Sequence, residues 1–259
     1  VFKVFPAKTR SPRGIVSIPH SGELIPEEFK PFIVGSDLDC REDVDYKVNE
    51  LVDIAALNEA GISVIVAGVH RVCVDLNRAS DESVLFWREN THGVPLVQGN
   101  PSASQVRAWI EKYHTPYFEA LQSLLAEAEA ACESVGFVDL HSMPSRPTDY
   151  HFKRNPNQKL ERPDFCLSDR QGLTCRSEFI AGFAQTLGAK FGVGINDPYL
   201  GGYITQAVHT IKDASKTQNI QIEINRAIYM DERTKTLTPE KVAKLKPFLT
   251  RALIQGLHL

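Results

Sequence analysis

Short apolar runs that alternate with helical stripes predict an α/β fold, a central mixed sheet flanked by helices and covered on both faces. Three observations carry this expectation. Strand-like runs recur along the whole 259 residues, and the stretches between them space apolar residues at helical intervals. Neither an internal repeat nor a long low-complexity linker interrupts the pattern, so one domain over 1–259 is the economical reading.

The elements follow in order. "GIVSIPH" (14–20) is an apolar run that stops at Pro-His, as a buried strand does. Residues 41–61 place apolar side chains at 44, 48, 51, 52, 55 and 56, the spacing of a helix that Gly61 ends. "ISVIVAG" (62–68) and "RVCVDLN" (71–77) read as successive strands, the second because polar and apolar residues alternate from Arg71 to Asp75. Val106, Ile110, Tyr113, Tyr117, Leu121, Leu124, Ala128 and Ala131 form one helical stripe with Pro116 as its kink or break. "GFVDLHS" (136–142), "DFCLSD" (164–169), "FGVGIN" (191–196) and "NIQIEIN" (219–225) are further strands. Helices are expected over 177–190 and, from a Thr-Pro start signal, to the end of the chain. Segment 145–163, rich in Pro, Asn and charge, is too long for an idle connection and reads as a lid or specificity loop.

Composition excludes several classes. With 42% hydrophobic and 24% charged residues the chain has the make-up of a soluble globular protein. A net charge of -3 gives no electrostatic reason to expect nucleic acid or an anionic membrane as partner. No apolar run approaches the length of a membrane span. No signal peptide is legible, and a start at Val1 leaves room for a trimmed segment. The five cysteines are odd in number and lack metal-ligand spacing, which reads as reduced thiols in a cytoplasmic protein.

Chemistry collects where strands end. His20, Asn77 with Arg78, His141 and Glu223 all sit in or just after predicted strands, and open α/β sheets bind ligands outside the carboxyl ends of their strands. His20 and Glu23 have H-x-x-E spacing, which a turn can aim at one cation, and His141 supplies a second imidazole. Two His and one carboxylate leave a fourth tetrahedral position for water, the open arrangement of a catalytic zinc. Each His alone reads equally as a structural strand-end residue; together with Glu23 they read as a metal site. Gln221, Glu223 and Asn225 share one face of a strand whose other face carries Ile220, Ile222 and Ile224, so that polar face must meet a site, an ion-pair network or solvent. If it meets the metal, Glu223 is the natural general base. Arg71 and Arg78 flank a strand end crowded with Asp75 and Asn77, as an anion-binding site or a surface turn would be.

"PHSGELIP", "DVDYKVNEL", "RVCVDLNR", "DLHSMPS", "DFCLSDRQGLTC", "PYLGGYIT" and "QIEINRAIYMDE" resemble the N-formylglutamate amidohydrolase family over nearly the whole chain. The order His20-Glu23, Arg71, Asn77-Arg78, His141, Glu223 is also similar to that of zinc carboxypeptidases and aspartoacylase-like deacylases. The resemblance implies a carboxypeptidase-like α/β fold, a zinc ion and hydrolysis of an amide on an amino acid. It implies that His20 and His141 hold zinc, Arg71 steadies the oxyanion, Asn77 and Arg78 clamp the substrate's carboxylate, and Glu223 is the base. The third ligand is left between Glu23 and Asp45, the latter from the D-x-D-aromatic stretch at 43–46. Tyr203 in "GGYIT" is a candidate substrate contact or a packed aromatic. The family usually carries Arg where this chain has Gln206, a departure that weighs against formylglutamate if that Arg serves the side-chain carboxylate. Arg146, Lys153 and Arg154 are available in 145–163 to compensate.

The expected activity is zinc-dependent hydrolysis of a small N-acyl amino acid, with iron, cobalt or manganese accepting similar ligands. The rivals are a carboxypeptidase or peptide amidase, and a non-catalytic binding protein that would lack a ligand or base. His70 reads as structural, His92, His114, His151, His209 and His258 as without chemistry, and Asp169-Arg170 as an ion pair or turn.

Overall fold

The computed structural model describes residues 1–81, 87–211 and 216–258. Its strands are β1 (Phe2–Phe5), β2 (Gly14–Ile18), β3 (Ile62–Ala67), β4 (Val135–Met143), β5 (Phe165–Ser168), β6 (Val193–Ile195), β7 (Thr217–Asn225), β8 (Met230–Asp231) and β9 (Thr236–Leu237). Its α-helices are α1 (Asp37–Cys40), α2 (Ile54–Glu59), α3 (Ala103–Trp109), α4 (Thr115–Ala131), α5 (Asp149–Arg154), α6 (Ser177–Gly188), α7 (Tyr203–Ile211) and α8 (Pro239–Gly256).

Seven strands form one mixed sheet in the order β1-β3-β2-β4-β7-β5-β6. The middle strands β3, β2, β4 and β7 are mutually parallel, β1 runs antiparallel to β3, and β5 runs antiparallel to β7 and parallel to β6. Every residue of β4 and β7 is buried, as expected of strands covered on both faces. Successive side chains point to opposite faces, and the core divides accordingly. Ile15, Ile65 and Phe137 pack with α3 and α4, and Val16, Val64, Val138, Leu140, Ile220, Ile222 and Ile224 pack with α2, α6 and α8.

The face shared with α4 changes character toward the strand ends. Ser17, Asp139, His141, Gln221 and Glu223 replace apolar side chains there, and all are buried. The parallel register sets Ser17 beside Asp139, Asp139 beside Gln221, and His141 beside Glu223. A row of polar groups thus lies at the carboxyl ends of adjacent parallel strands.

Two expected elements differ. Residues 41–61 are not one helix: Lys47 takes φ 59, a 3-10 turn runs over Val48–Leu51, and α2 begins only after Asp53 caps it through the Ala56 amide. Residues 41–47 are turns, with the left-handed Lys47 two residues beyond Asp45, whose amide donates to the His20 carbonyl (3.1 Å) and whose carboxylate points into the sheet end. Residues 71–77 form turns rather than a strand, with the Cys73 amide donating to the His70 carbonyl. The apparent alternation misleads because Val72, Cys73, Val74, Asp75 and Leu76 are all buried in succession.

The stripe from 103 onward is continuous, but a wide π-turn over Ile110–His114 separates α3 from α4 and Pro116 sits in the first turn of α4, where its missing N–H is harmless. Segment 145–163 carries α5. β1, α1, α7, β8 and β9 are additional to the elements read from the sequence. All five cysteines are free thiols. Among the described residues no helix is long and apolar enough to cross a membrane.

Candidate active site

A cleft of about 610 Å³ opens at the carboxyl ends of β2, β4 and β7. At its floor, His20 just beyond β2, His141 in β4 and Asp45 in the D-x-D turn bring one ligand atom each to within 4.8 Å of the others. Asp45 Oδ2 is the focus, 2.9 Å from His141 Nδ1 and 3.4 Å from His20 Nδ1. Two ligands about 2.0–2.2 Å from a tetrahedral ion stand roughly 3.3–3.6 Å apart, so the spacing suits a metal.

Proton bookkeeping supports the fit. His20 donates its Nε2–H to Asp75 Oδ1 (2.7 Å), which leaves Nδ1 as a bare lone pair. That Nδ1 is buried without a hydrogen-bond partner and faces a carboxylate oxygen. Two acceptors so placed need a proton or a cation between them. His141 is placed differently: its Nδ1 meets Asp45 Oδ2 directly, and its Nε2 lies 2.8 Å from the Asp139 carboxylate. Asp139 is fixed in turn by the Ser17 hydroxyl (3.1 Å). The second oxygen of Asp45 accepts from Ser142 Oγ (3.0 Å) and lies 3.6 Å from Arg226 Nη2, so the carboxylate cannot swing away.

The electrostatics follow from burial and charge. Burial disfavours ionised Asp45, but His141 and then His20 outweigh it and hold the group well below the usual carboxylate range. Asp75 is likewise kept ionised despite burial, by Arg71, His20 and Arg78. Burial opposes a charged His141, yet Asp139 and Asp45 raise it well above the ordinary imidazole value. Glu223 moves the other way: burial pushes its carboxyl up to about 6, with His141 opposing and Asp45 adding to the rise. Its Oε1 accepts from Gln221 Nε2 (2.7 Å), and it stands beside His141 in the sheet.

Asp75 organises the guanidiniums. Its Oδ2 accepts from Arg71 Nη2 (2.7 Å) and Trp87 Nε1 (2.8 Å), with Arg78 Nε at 3.4 Å. Both guanidiniums lie over the Trp87 ring, at 4.6 and 4.8 Å. Arg71 Nη1 also donates to the Asp43 carbonyl (2.7 Å), and the Asp43 carboxylate binds the amide and hydroxyl of Thr91. The D-x-D pair thus divides its labour, one acid fixing the wall and one entering the cluster. His114, brought by the π-turn, donates to the Arg78 carbonyl (3.0 Å).

Of the residues expected from the sequence, His20, Asp45, Arg71, Asn77, Arg78, His141 and Glu223 line the cleft. Glu23 does not join them; it turns outward to Lys47 Nζ (2.8 Å) and Arg41. Asn77 spends its carbonyl oxygen on the Ile204 amide (2.8 Å), which anchors the start of α7. Gly202 is required beside it, since a Cβ there would stand 2.2 Å from Asn77 Nδ2. Tyr203 lies outside the lining and packs on Phe118 (5.7 Å between centroids). Gln206 is exposed on α7, away from the cleft. Asp169 forms a turn, accepting from the Gly172 amide and Asn196 Nδ2. His70 is buried and structural, its Nδ1 accepting the Val72 amide (3.1 Å).

The sequence marks Asp75 only as part of a crowded strand end, sets His151 aside, and does not single out Asp139, Trp87 or Arg226. Two signals were available in principle: Asp139 and His141 share a strand face at i and i+2, and Arg226 directly follows the polar face of β7.

The comparisons with known proteins decide the family. The N-formylglutamate amidohydrolase family model matches residues 13–230. The chain belongs to that family. It is 26% identical over 255 residues to the N-formylglutamate deformylase of Pseudomonas aeruginosa, covering 94% of this chain and 91% of the relative. The deformylase of Pseudomonas putida is also 26% identical, with the same coverage. Among solved structures, N-formylglutamate amidohydrolase from Ralstonia eutropha JMP134 superposes with a TM-score of 0.86 at 26% identity, over 99% of this chain and 97% of that one. The Agrobacterium tumefaciens product Atu2144 shares the fold, with a TM-score of 0.73 at 15% identity over 99% of this chain and 94% of that one.

Proposed function

We propose that this chain is a zinc-dependent amidohydrolase acting in the cytoplasm on a small N-acyl amino acid, with N-formylglutamate, cleaved to glutamate and formate, as its default substrate. The observation that carries the reading is the convergence of His20, Asp45 and His141 on one buried point with Glu223 next to it in register. Membership of the family and the names of the Pseudomonas relatives support the substrate. Asp45, not Glu23, is the third ligand on this reading.

Zinc held there would act as a Lewis acid and lower the pKa of attacking water toward neutrality. The remaining work belongs to the chain. Glu223 is placed to take a proton from an attacking water and return it to the leaving amine nitrogen, and a carboxyl shifted upward by burial suits both halves of the exchange. Arg71, fixed by Asp75, Trp87 and the Asp43 carbonyl, stabilises charge on the scissile carbonyl oxygen without reorganising. Arg78, helped by the amide of Asn77, binds the α-carboxylate. Tyr203 takes no direct part.

The test is formate and glutamate release from N-formylglutamate before and after chelation, with zinc restored. Release that chelation abolishes and zinc returns is expected; release insensitive to chelation would sink the metal assignment. A second reading, an amidase for longer acylated peptides, is favoured by a neighbouring cleft of about 900 Å³ that shares Thr91, Pro144 and Tyr150 with the first and is lined by Arg146 and Lys153. Activity on formyl peptides but not on formylglutamate would select it.

A further inference from the structure

Arg162 is a buried guanidinium for which no carboxylate partner exists among the described residues. Its Nη1 donates to the Pro144 carbonyl and to Tyr199 Oη (both 3.1 Å), its Nη2 to Gln158 Oε1 (2.9 Å), and its Nε is buried and unpartnered. A buried charge is normally paired. Here it rests on three neutral oxygens, those of Pro144, Tyr199 and Gln158, and all three residues line the cleft.

Those bonds fix what the wall can offer. Tyr199 accepts from Arg162, so its hydroxyl proton is available to a ligand. Gln158 accepts at Oε1 and gives one amide hydrogen to the Asn155 carbonyl (3.1 Å), which leaves the other. His151 Nδ1 accepts the Thr148 amide (3.1 Å), so Nε2 carries the ring proton. Burial, with Arg162, Arg226 and Arg154 nearby, lowers this imidazole to about 4 and keeps it a neutral donor at physiological pH. Arg154, laid over Tyr150 at 4.3 Å, brings a positive charge to the same lining. Tyr199 also feels the charge of Glu223, so the wall adjoins the reacting end of the cleft.

We propose that His151, Gln158 and Tyr199, backed by Arg162 and flanked by Arg154, form a donor subsite for a second carboxylate, that of the side chain of an acidic N-acyl amino acid. This rests on the reading of the cleft as an N-acyl amino acid hydrolase. Arg78 takes the α-carboxylate and the donor wall takes the distal one, each by charge-assisted hydrogen bonds. Arg162 is a positioning residue: it orients two donors and adds a positive field without touching substrate.

The experiment compares kcat/KM for N-formylglutamate and its neutral isostere N-formylglutamine, in wild type and Tyr199→Phe. Wild type is expected to prefer the glutamate derivative by about 10- to 100-fold, the scale of charged hydrogen bonds. Tyr199→Phe should cut that ratio about tenfold, and Arg154→Gln about threefold. Arg162→Lys should keep more of the preference than Arg162→Gln, which a purely structural role would not predict. Gln158→Met carries the same test if the Tyr199 variant loses its fold. Equal use of both substrates by wild type, or a Tyr199→Phe variant that slows both alike, overturns the proposal. If neither formyl compound is hydrolysed the activity assignment fails, and binding of glutarate against its monoamide decides the subsite. Tighter glutarate binding that Tyr199→Phe weakens upholds it, and equal binding refutes it.

Discussion

Strand β7 presents two faces that are equally buried and opposite in chemistry. Ile220, Ile222 and Ile224 pack into the core beneath α6 and α8, while Gln221, Glu223 and Asn225 occupy the face that opens on the cleft. The apolar face lowers the free energy of the fold with each methylene it removes from water. The polar face has to satisfy every group it buries, through Gly202 to Gln221, Gln221 to Glu223, and Asn225 to the backbone of Arg162 and Pro163. Desolvation of such groups is expensive. One strand therefore separates what holds the protein together from what the protein does, and substitutions one residue apart should separate the two effects.

The largest effect is expected at Glu223. Glu223→Gln should lower kcat by about 10²- to 10⁴-fold. Its melting temperature should hold or rise, because a buried carboxyl that resists ionisation becomes a neutral amide. Unchanged kcat in this variant would remove Glu223 from the chemistry. Ile222→Ala, the adjacent residue on the other face, should cost about 2–5 kcal/mol in denaturant unfolding and leave kcat near wild type in the folded fraction. A variant with intact stability and lost turnover would blur the division between the faces. Next comes Asp75→Asn, which takes charge from the partner of His20 Nε2. It should weaken metal affinity about 10- to 100-fold, read by competition with a chromogenic chelator.

The smallest effect sharpens the comparison from outside the cleft. His70 is as buried as the site residues, and burial, Arg71 and Arg41 lower its imidazole from 6.5 to about 4. Because the folded value lies below the unfolded one, the stability it contributes is present above pH 6.5 and is lost as pH falls toward 4. Wild type should lose about 1–2 kcal/mol between pH 7 and 5 that His70→Gln does not lose. Identical pH profiles would show that His70 is not the group responsible. A buried polar residue is thus not by itself a site; convergence on a common point makes one.

Legibility of the molecule follows the same distinction. Period-two alternation exposed both faces of β7, and the abrupt polar ends of β2 and β4 exposed His20 and His141, because regular strands map sequence spacing directly onto space. Residues 41–61 defeated the same logic. Their helical spacing is real, but the chain runs in turns over 41–47, with Lys47 left-handed, and Asp45 reaches the histidines from there. Glu23 has the right type and spacing beside His20, yet Lys47 and Arg41 draw it outward. Nothing local distinguishes these two carboxylates, since the choice is made by long-range ion pairs. The donor wall built on Arg162 was hidden for a related reason: its members come from α5, the segment after it and the stretch before α7.

Metal content of the wild type, Asp45→Asn and Glu23→Gln, measured after loading with zinc and removal of excess, tests the central claim most directly. The account predicts about one zinc per chain in wild type and Glu23→Gln, and loss of it in Asp45→Asn with the fold retained. Zinc kept by Asp45→Asn and lost from Glu23→Gln would contradict the site described, and no zinc in any of the three would contradict a metal centre at His20, Asp45 and His141.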